Sequence, residues 1–175
     1  MPLIALKRVG LTFGLKPLLD GVDFQIDRGE RVCLIGRNGE GKSSMLKIIE
    51  GVIKQDSGEV WIDSGVRIAT LAQELPRDMT TCVYDVVASG VPHVGAKLAE
   101  FHHLLTQTDD ISMQRLGDLQ TELDAVDGWG LDNKVNTIID KLNLPADAPL
   151  NSLSGGWMRR VLMGKTLVSD PDLLL

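Results

Sequence analysis

The sequence predicts an α/β fold, and three observations carry that prediction. Short strand-like runs separated by turns occupy residues 3–71. Among them a four-residue apolar run, Val32-Cys33-Leu34-Ile35, leads through a glycine-rich loop into an amphipathic helix. From residue 98 onward the apolar spacing becomes three and four, the mark of helices rather than strands.

In chain order, Leu3-Ile4-Ala5-Leu6 and Val22-Asp23-Phe24-Gln25-Ile26 have strand character, the second with alternating apolar residues. Asp27-Arg28-Gly29-Glu30 reads as a turn. The run 32–35 has no polar side, which is expected of a strand buried on both faces of a parallel sheet. Residues 43–49 place Met45, Leu46, Ile48 and Ile49 at helical spacing, with Gly51 as the stop. Asp56-Ser57-Gly58 turns into the strand Glu59-Val60-Trp61-Ile62, and a further strand over residues 66–71 leads to Gln73.

The middle of the chain changes character. Leu98, Phe101, Leu104 and Leu105 repeat at helical spacing, as do Met113, Leu116, Leu119 (or Gln120), Leu123 and Val126. Asp109 or Asp110 suits the N-cap of the second run, because its carboxylate can accept from the free amides of a first turn. Two such helices form an αα-hairpin over residues 95–127, inside a helical region of about residues 76–150. The pattern fits either an ordinary helical layer or a projecting hairpin. A third helix, about residues 131–142, should bury Val135, Ile138, Ile139 and Leu142.

With 175 residues, 43% hydrophobic and 24% charged, the chain is sized and composed for one globular domain. Its apolar runs are far shorter than the ~20 residues a membrane span needs, and its start does not resemble a secretory leader, so a cytoplasmic location is expected. Cys33 and Cys82 form no C-x-x-C and have no histidine at ligand spacing, which reads as two reduced thiols. His102 and His103 are adjacent, so on a helix they point about 100° apart and cannot share a metal. The net charge of −6 is uneven: residues 95–150 hold 4 Lys/Arg against 10 Asp/Glu, and the rest holds 14 of each.

Two segments carry chemistry. Gly36-Arg37-Asn38-Gly39-Glu40-Gly41-Lys42-Ser43 fits G-x-x-x-x-G-K-[ST] at every fixed position, between a strand-like run and a helix. Glycines let successive amides face one anion, and the following helix adds its partial positive charge. Lys42 can reach terminal phosphates as a point charge, and the Ser43 hydroxyl can ligate Mg²⁺. Much later, Leu153-Ser154-Gly155-Gly156 opens another helical run, with Ser154 as N-cap and two glycines leaving the amides bare for an anion.

With these motifs in place, the chain resembles the ATP-binding cassette (ABC) superfamily along essentially its whole length. Residues 36–43 match the Walker A motif, residues 153–156 the LSGG signature, and Gln73 the Q-loop glutamine. Trp157 after LSGG, Arg28-Gly29-Glu30-Arg31-Val32 and Gly36-Arg37-Asn38-Gly39 look like the ABC-F branch, most of all its Uup-like members.

The resemblance implies a P-loop NTPase fold with an antiparallel β subdomain and a helical, arm-containing subdomain. It implies an ATP and Mg²⁺ site formed by Gly36, Arg37, Asn38, Gly39, Glu40, Gly41, Lys42, Ser43 and Ser44. Phe13 would stack on adenine, Ser43 and Gln73 would hold Mg²⁺, and Gln73 would also position the attacking water. Ser154, Gly155 and Gly156 would meet the γ-phosphate held by a second cassette. ABC-F proteins act on ribosomes or, for Uup-like members, also on DNA; the other reading is the cytoplasmic ATPase subunit of an ABC transporter. The 81 positions from Gln73 to Ser154 leave room for the ABC-F arm, although its acidity is unlike a phosphate-binding surface. Leu173-Leu174-Leu175 looks like the strand that precedes the family's Mg²⁺-orienting Asp and water-polarising Glu. The resemblance therefore implies a cassette incomplete at its C-terminus, inactive in hydrolysis alone and poorly folded around residues 32–35.

Overall fold

The computed structural model describes residues 2–14, 16–71, 79–105 and 110–175. They fall into two compact units: Met1–Thr70 with Pro171–Leu175, and Leu71–Asp170.

The first unit is built on β1 (Pro2–Phe13), β2 (Lys16–Asp27) and β3 (Ser57–Ile62), an antiparallel sheet in the order β2-β1-β3. Both leading strands run 12 residues, much longer than the apolar runs that announce them. Pairing continues through polar interruptions because the backbone bonds do not depend on side chains, and the irregularity is absorbed as bulges. One register shift lies between Leu6 and Val9 and spans Arg8, at φ 48, whose amide donates to the Asp23 carboxylate at 2.8 Å. Gly58 accommodates that bulge: a Cβ there would lie 2.2 Å from the Arg8 carbonyl oxygen. One face of the sheet, with Ile4, Leu6, Val9 and Leu11, shares a core with Met45, Ile48 and Ile49 of α1 (Lys42–Ile49). Gly51, at φ 79, ends the α1 turn by donating to the Ile48 carbonyl.

A second, parallel pair joins β4 (Ile68–Ala69) to β5 (Leu173–Leu174). Asp172 locks it. Its Oδ2 accepts from the Arg67 amide at 3.0 Å, and its Oδ1 meets the Arg28 guanidinium at 3.3 Å. The Arg67 amide, followed by the nearby Arg67 and Arg28 charges, holds the Asp172 carboxyl below its ordinary range.

The expected strand over residues 32–35 is not present. None of the described strands pairs with this run, and Val32 and Ile35 are 47% and 89% exposed. A parallel-sheet strand owes its burial to neighbours on both edges and layers on both faces, and without a paired neighbour apolar content alone does not fix it. Beside it, Ile26, Val32, Leu34, Leu46, Ile49 and Leu173 line part of a cleft of about 800 Å³.

The second unit is helical: α2 (Val83–Ala88), α3 (Val94–Leu104), α4 (Asp110–Asp124), α5 (Gly128–Lys141), a 3-10 turn (Leu150–Ser152) and α6 (Gly155–Val168). Val83, Val87, Leu98, Leu123 and Val135 are fully buried at its centre. Each such side chain contributes about 1.5–3 kcal/mol on leaving water. Gly90 permits a close crossing, since a Cβ there would sit 1.9 Å from the Lys165 carbonyl oxygen on α6.

Helices α3 and α4 are both seated in this unit, through Gly95 and Leu98 on one and Ser112, Leu119 and Leu123 on the other. The stripe on α4 differs from the expected one, because Met113 and Val126 are 60% and 48% exposed. The real seam runs 112–119–123 and includes a polar residue, which a count of apolar positions passes over. Asp110 starts α4, whereas Asp109 lies outside the described residues. Across the two helices Arg115 grips Glu100 through two bonds of 2.7 and 3.0 Å and Glu122 through one of 3.1 Å, and Lys97 meets Glu122 at 2.9 Å.

Candidate functional site

Helix α1 begins abruptly. Gly41, its N-cap, has φ 89 and ψ 1, and Gly39 has φ 87, both in the left-handed region that side chains rarely adopt. A Cβ on Gly41 would also press to 3.1 Å from Leu18 and Leu19. These two glycines let the loop coil tightly onto the head of the helix, where backbone amides have no intrahelical partner. Lys42 stands at the first helical position and its ammonium donates to the carbonyls of Gly36 and Arg37, each at 2.7 Å. Glu40 folds the other way: its carboxylate accepts from the Arg37 amide at 2.6 Å. Ser43 is exposed on the first turn and Ser44 half-buried behind it. Gly36, Arg37, Asn38, Gly39, Glu40, Gly41, Lys42, Ser43 and Ser44 thus form one continuous loop-and-helix surface. The Glu40 contact was invisible in sequence, where the residue occupies an unrestricted position.

Phe13 ends β1 and is 61% exposed, a large aromatic held in water by the hairpin it shares with Lys16. Exposure of that size excludes Phe13 from the core of the sheet. Gln73 lies outside the described residues.

In the second unit Ser154 is the N-cap of α6, at φ −71 and ψ 160, and its side chain makes no capping bond. Ser154, Gly155 and Gly156 are all exposed. A Cβ on Gly155 would meet nothing within 4 Å, and one on Gly156 would approach only the Ser154 hydroxyl. Ser154 and both glycines are therefore uncovered at the head of α6. One turn on, the Arg160 guanidinium lies 4.9 Å from the centre of the Trp157 ring.

The structure thus carries a phosphate-type loop on one unit and an open serine–glycine helix head on the other. Residues 19–175 match the family described as ABC transporter. The chain belongs to that family. The expected fold, an α/β ABC nucleotide-binding domain with an antiparallel β part and a helical part, is the one observed.

Among curated relatives, this ABC chain is 39% identical over 179 residues to the ATP-binding protein Uup of Haemophilus influenzae and 36% identical to Uup of Escherichia coli. Each alignment covers 100% of this chain and 28% of the relative. It is 38% identical over 175 residues to the energy-dependent translational throttle protein EttA of Mycobacterium tuberculosis, covering 97% of this chain and 31% of the relative. Uup and EttA are ABC-F proteins, in line with the branch suggested by residues 28–32 and 36–39. The chain spans less than a third of the length of these relatives.

Among solved structures, a nucleotide-free ATP-binding cassette from an ABC transporter matches with a TM-score of 0.71 at 22% identity, over 99% of this chain and 68% of that one. The ADP conformation of an ABC transporter cassette matches with a TM-score of 0.68 at 19% identity, over 99% and 67%. At such identity the likeness shows the fold. No helix among the described residues is long and apolar enough to cross a membrane.

Proposed function

We propose that this chain is the ATP-holding part of a soluble, cytoplasmic ABC-F-type ATPase that works on the ribosome, its RNA or DNA. The observation that carries the reading is the pair of left-handed glycines setting Lys42 at the head of α1. The loop amides and the Lys42 ammonium suit the β- and γ-phosphates, since both are donors gathered at the head of α1 and a phosphate can take over the bonds they make within the loop. The exposed Ser43 hydroxyl suits Mg²⁺, with Gln73 as its second support from this chain. Mg²⁺, when bound, neutralises charge on the phosphates. Phe13, an exposed aromatic at a strand end, suits the adenine face.

Ser154, Gly155 and Gly156 serve a different nucleotide, one held by a second cassette on the same parent chain or on a partner copy. Each cassette then owns half of two sites. The γ-phosphate adds contacts that only the paired state can make, so binding favours closure, and hydrolysis in the parent protein removes them. Action on translation or DNA is supported by the similarity to EttA and Uup, which is higher than the similarity to the transporter cassettes. Residues 95–127 remain the candidate arm toward that partner.

The test is calorimetric titration of MgATP into the parent protein carrying Lys42→Ala in this cassette. Nucleotide binding at this site should be lost; one charge-assisted contact is worth about 1.5–3 kcal/mol, or about 10–100-fold, before secondary losses. Retained tight binding at this site would falsify the assignment of the loop.

A further inference from the structure

Sequence spacing offers no ligand pattern around Cys82, yet the fold gathers three ligand types there. We propose that Cys82, Asp85 and His103 form a binding site for a single Zn²⁺ ion. Cys82 immediately precedes α2, Asp85 lies in its first turn, and His103 comes from the last turn of α3. One sulfur, one carboxylate oxygen and one imidazole nitrogen all lie within 4.8 Å of one another. One edge, His103 Nε2 to Asp85 Oδ2, measures 2.8 Å. Zinc bonds of about 2.0–2.3 Å in a tetrahedron set ligand atoms about 3.3–3.8 Å apart. The ion therefore widens one edge and draws in the others by up to about an ångström. The His103 side chain is 63% exposed, so that adjustment takes place at the surface and not in the core.

A second observation points to a cation independently of this spacing. The other Asp85 oxygen, Oδ1, is buried without a hydrogen-bond partner, on a side chain only 12% exposed. A carboxylate oxygen withdrawn from water with no donor is an unfavourable state, and a metal ion in contact with that carboxylate relieves it. His102 takes no part: it stacks on Tyr84 with ring centres 3.9 Å apart and turns its Nε2 to Asp132.

The donor set chooses the metal. Sulfur with imidazole favours zinc over magnesium or calcium, which prefer all-oxygen cages. Binding releases the Cys82 thiol proton to solvent and forms the sulfur–zinc bond, with no change of oxidation state. Three protein ligands leave a fourth position for water. The carboxyl end of α3 favours a cation, the amino end of the short α2 opposes it, and the full charge on Asp85 outweighs either partial charge. A bound ion would pin the start of α2 to the end of α3, two helices whose side chains share the unit's core.

Cobalt serves as the probe, because its bond to a thiolate absorbs where the protein does not. Metal-free full-length protein titrated with Co²⁺ should show thiolate-to-metal absorption saturating at one ion per Cys82 site, and Zn²⁺ should displace it. Cys82→Ser should abolish the band, and Cys33→Ser should leave it. His103→Ala, at an exposed position that folding tolerates, should weaken Co²⁺ binding by at least about tenfold. The proposal is overturned by no band, by a band that survives Cys82→Ser or disappears with Cys33→Ser, or by unchanged affinity in His103→Ala.

Discussion

Val83, Val87, Leu98, Leu123 and Val135 of the helical unit are fully buried, whereas Val32 and Ile35 of the sheet-based unit, equally apolar, stand 47% and 89% exposed. The difference lies in how each kind of element completes itself. A helix closes its backbone bonds within its own turn and needs only one apolar stripe covered. A strand leaves half its bonding to a neighbour and both faces to other layers. The helical unit therefore reaches a full core from local pieces, and the run beside the phosphate loop does not.

The sharpest way to break this contrast is truncation on either side of it. Leu123→Ala should cost about 2–5 kcal/mol in chemical denaturation followed by helical signal, as for a fully buried leucine. Ile35→Ala should stay within about 0.5 kcal/mol, as for an exposed side chain. Equal costs would dissolve the distinction.

The two thiols offer the next contrast. Cys33 is exposed on the open run, while burial pushes the half-buried Cys82 thiol up to about 11 from 9.0, the Asp85 amide opposing that rise and the Asp85 carboxylate adding to it. Burial therefore withholds the reactive thiolate at Cys82. In metal-free protein near neutral pH, alkylation tracked by mass spectrometry should label Cys33 first, and comparable rates would contradict the assigned environments. The sign for stability follows. Folding raises this pKa, so the contribution is complete below the ordinary thiol value and is lost as pH climbs through about 11.

The smallest effect belongs to the surface of α3 and α4. The Arg115 bonds hold the Glu100 carboxyl below its ordinary range; for Glu122 the Lys97 bond comes first and Arg115 second. Their contribution is present above the usual glutamate pKa and lost as pH falls through the lowered folded values. Arg115→Gln should lower Tm slightly at neutral pH, less in high salt and not at all once both carboxyls are protonated. A drop that persists in acid and salt would assign Arg115 a packing role instead.

Much of this was legible in the sequence where information is local. The phosphate loop depends on closely spaced glycines, and Gly39 and Gly41 occupy left-handed conformations that glycine adopts without strain. The helix α5 buries Val135 and Ile139 as expected, while Ile138 and, just past its end, Leu142 pack half-buried against the same core. What escaped depends on neighbours. The α4 seam passes through Ser112 because the surrounding helices, not its own apolar count, decide which side is inward. β1 and β2 extend to 12 residues because paired backbones carry polar stretches along. Cys82 and His103, 21 positions apart in sequence, meet only because α2 and α3 pack.

The bonds inside the phosphate loop have one more consequence. With the Arg37 amide given to Glu40 and the Lys42 ammonium given to two carbonyls, the loop is internally quenched. An arriving anion has to outcompete those bonds rather than fill bare donors. A small monovalent ion engages too few groups at once to win that exchange, while a polyphosphate tail replaces all three together. Under the proposed reading, a ligand that presents several acceptors at once displaces all three bonds, where one with a single acceptor does not.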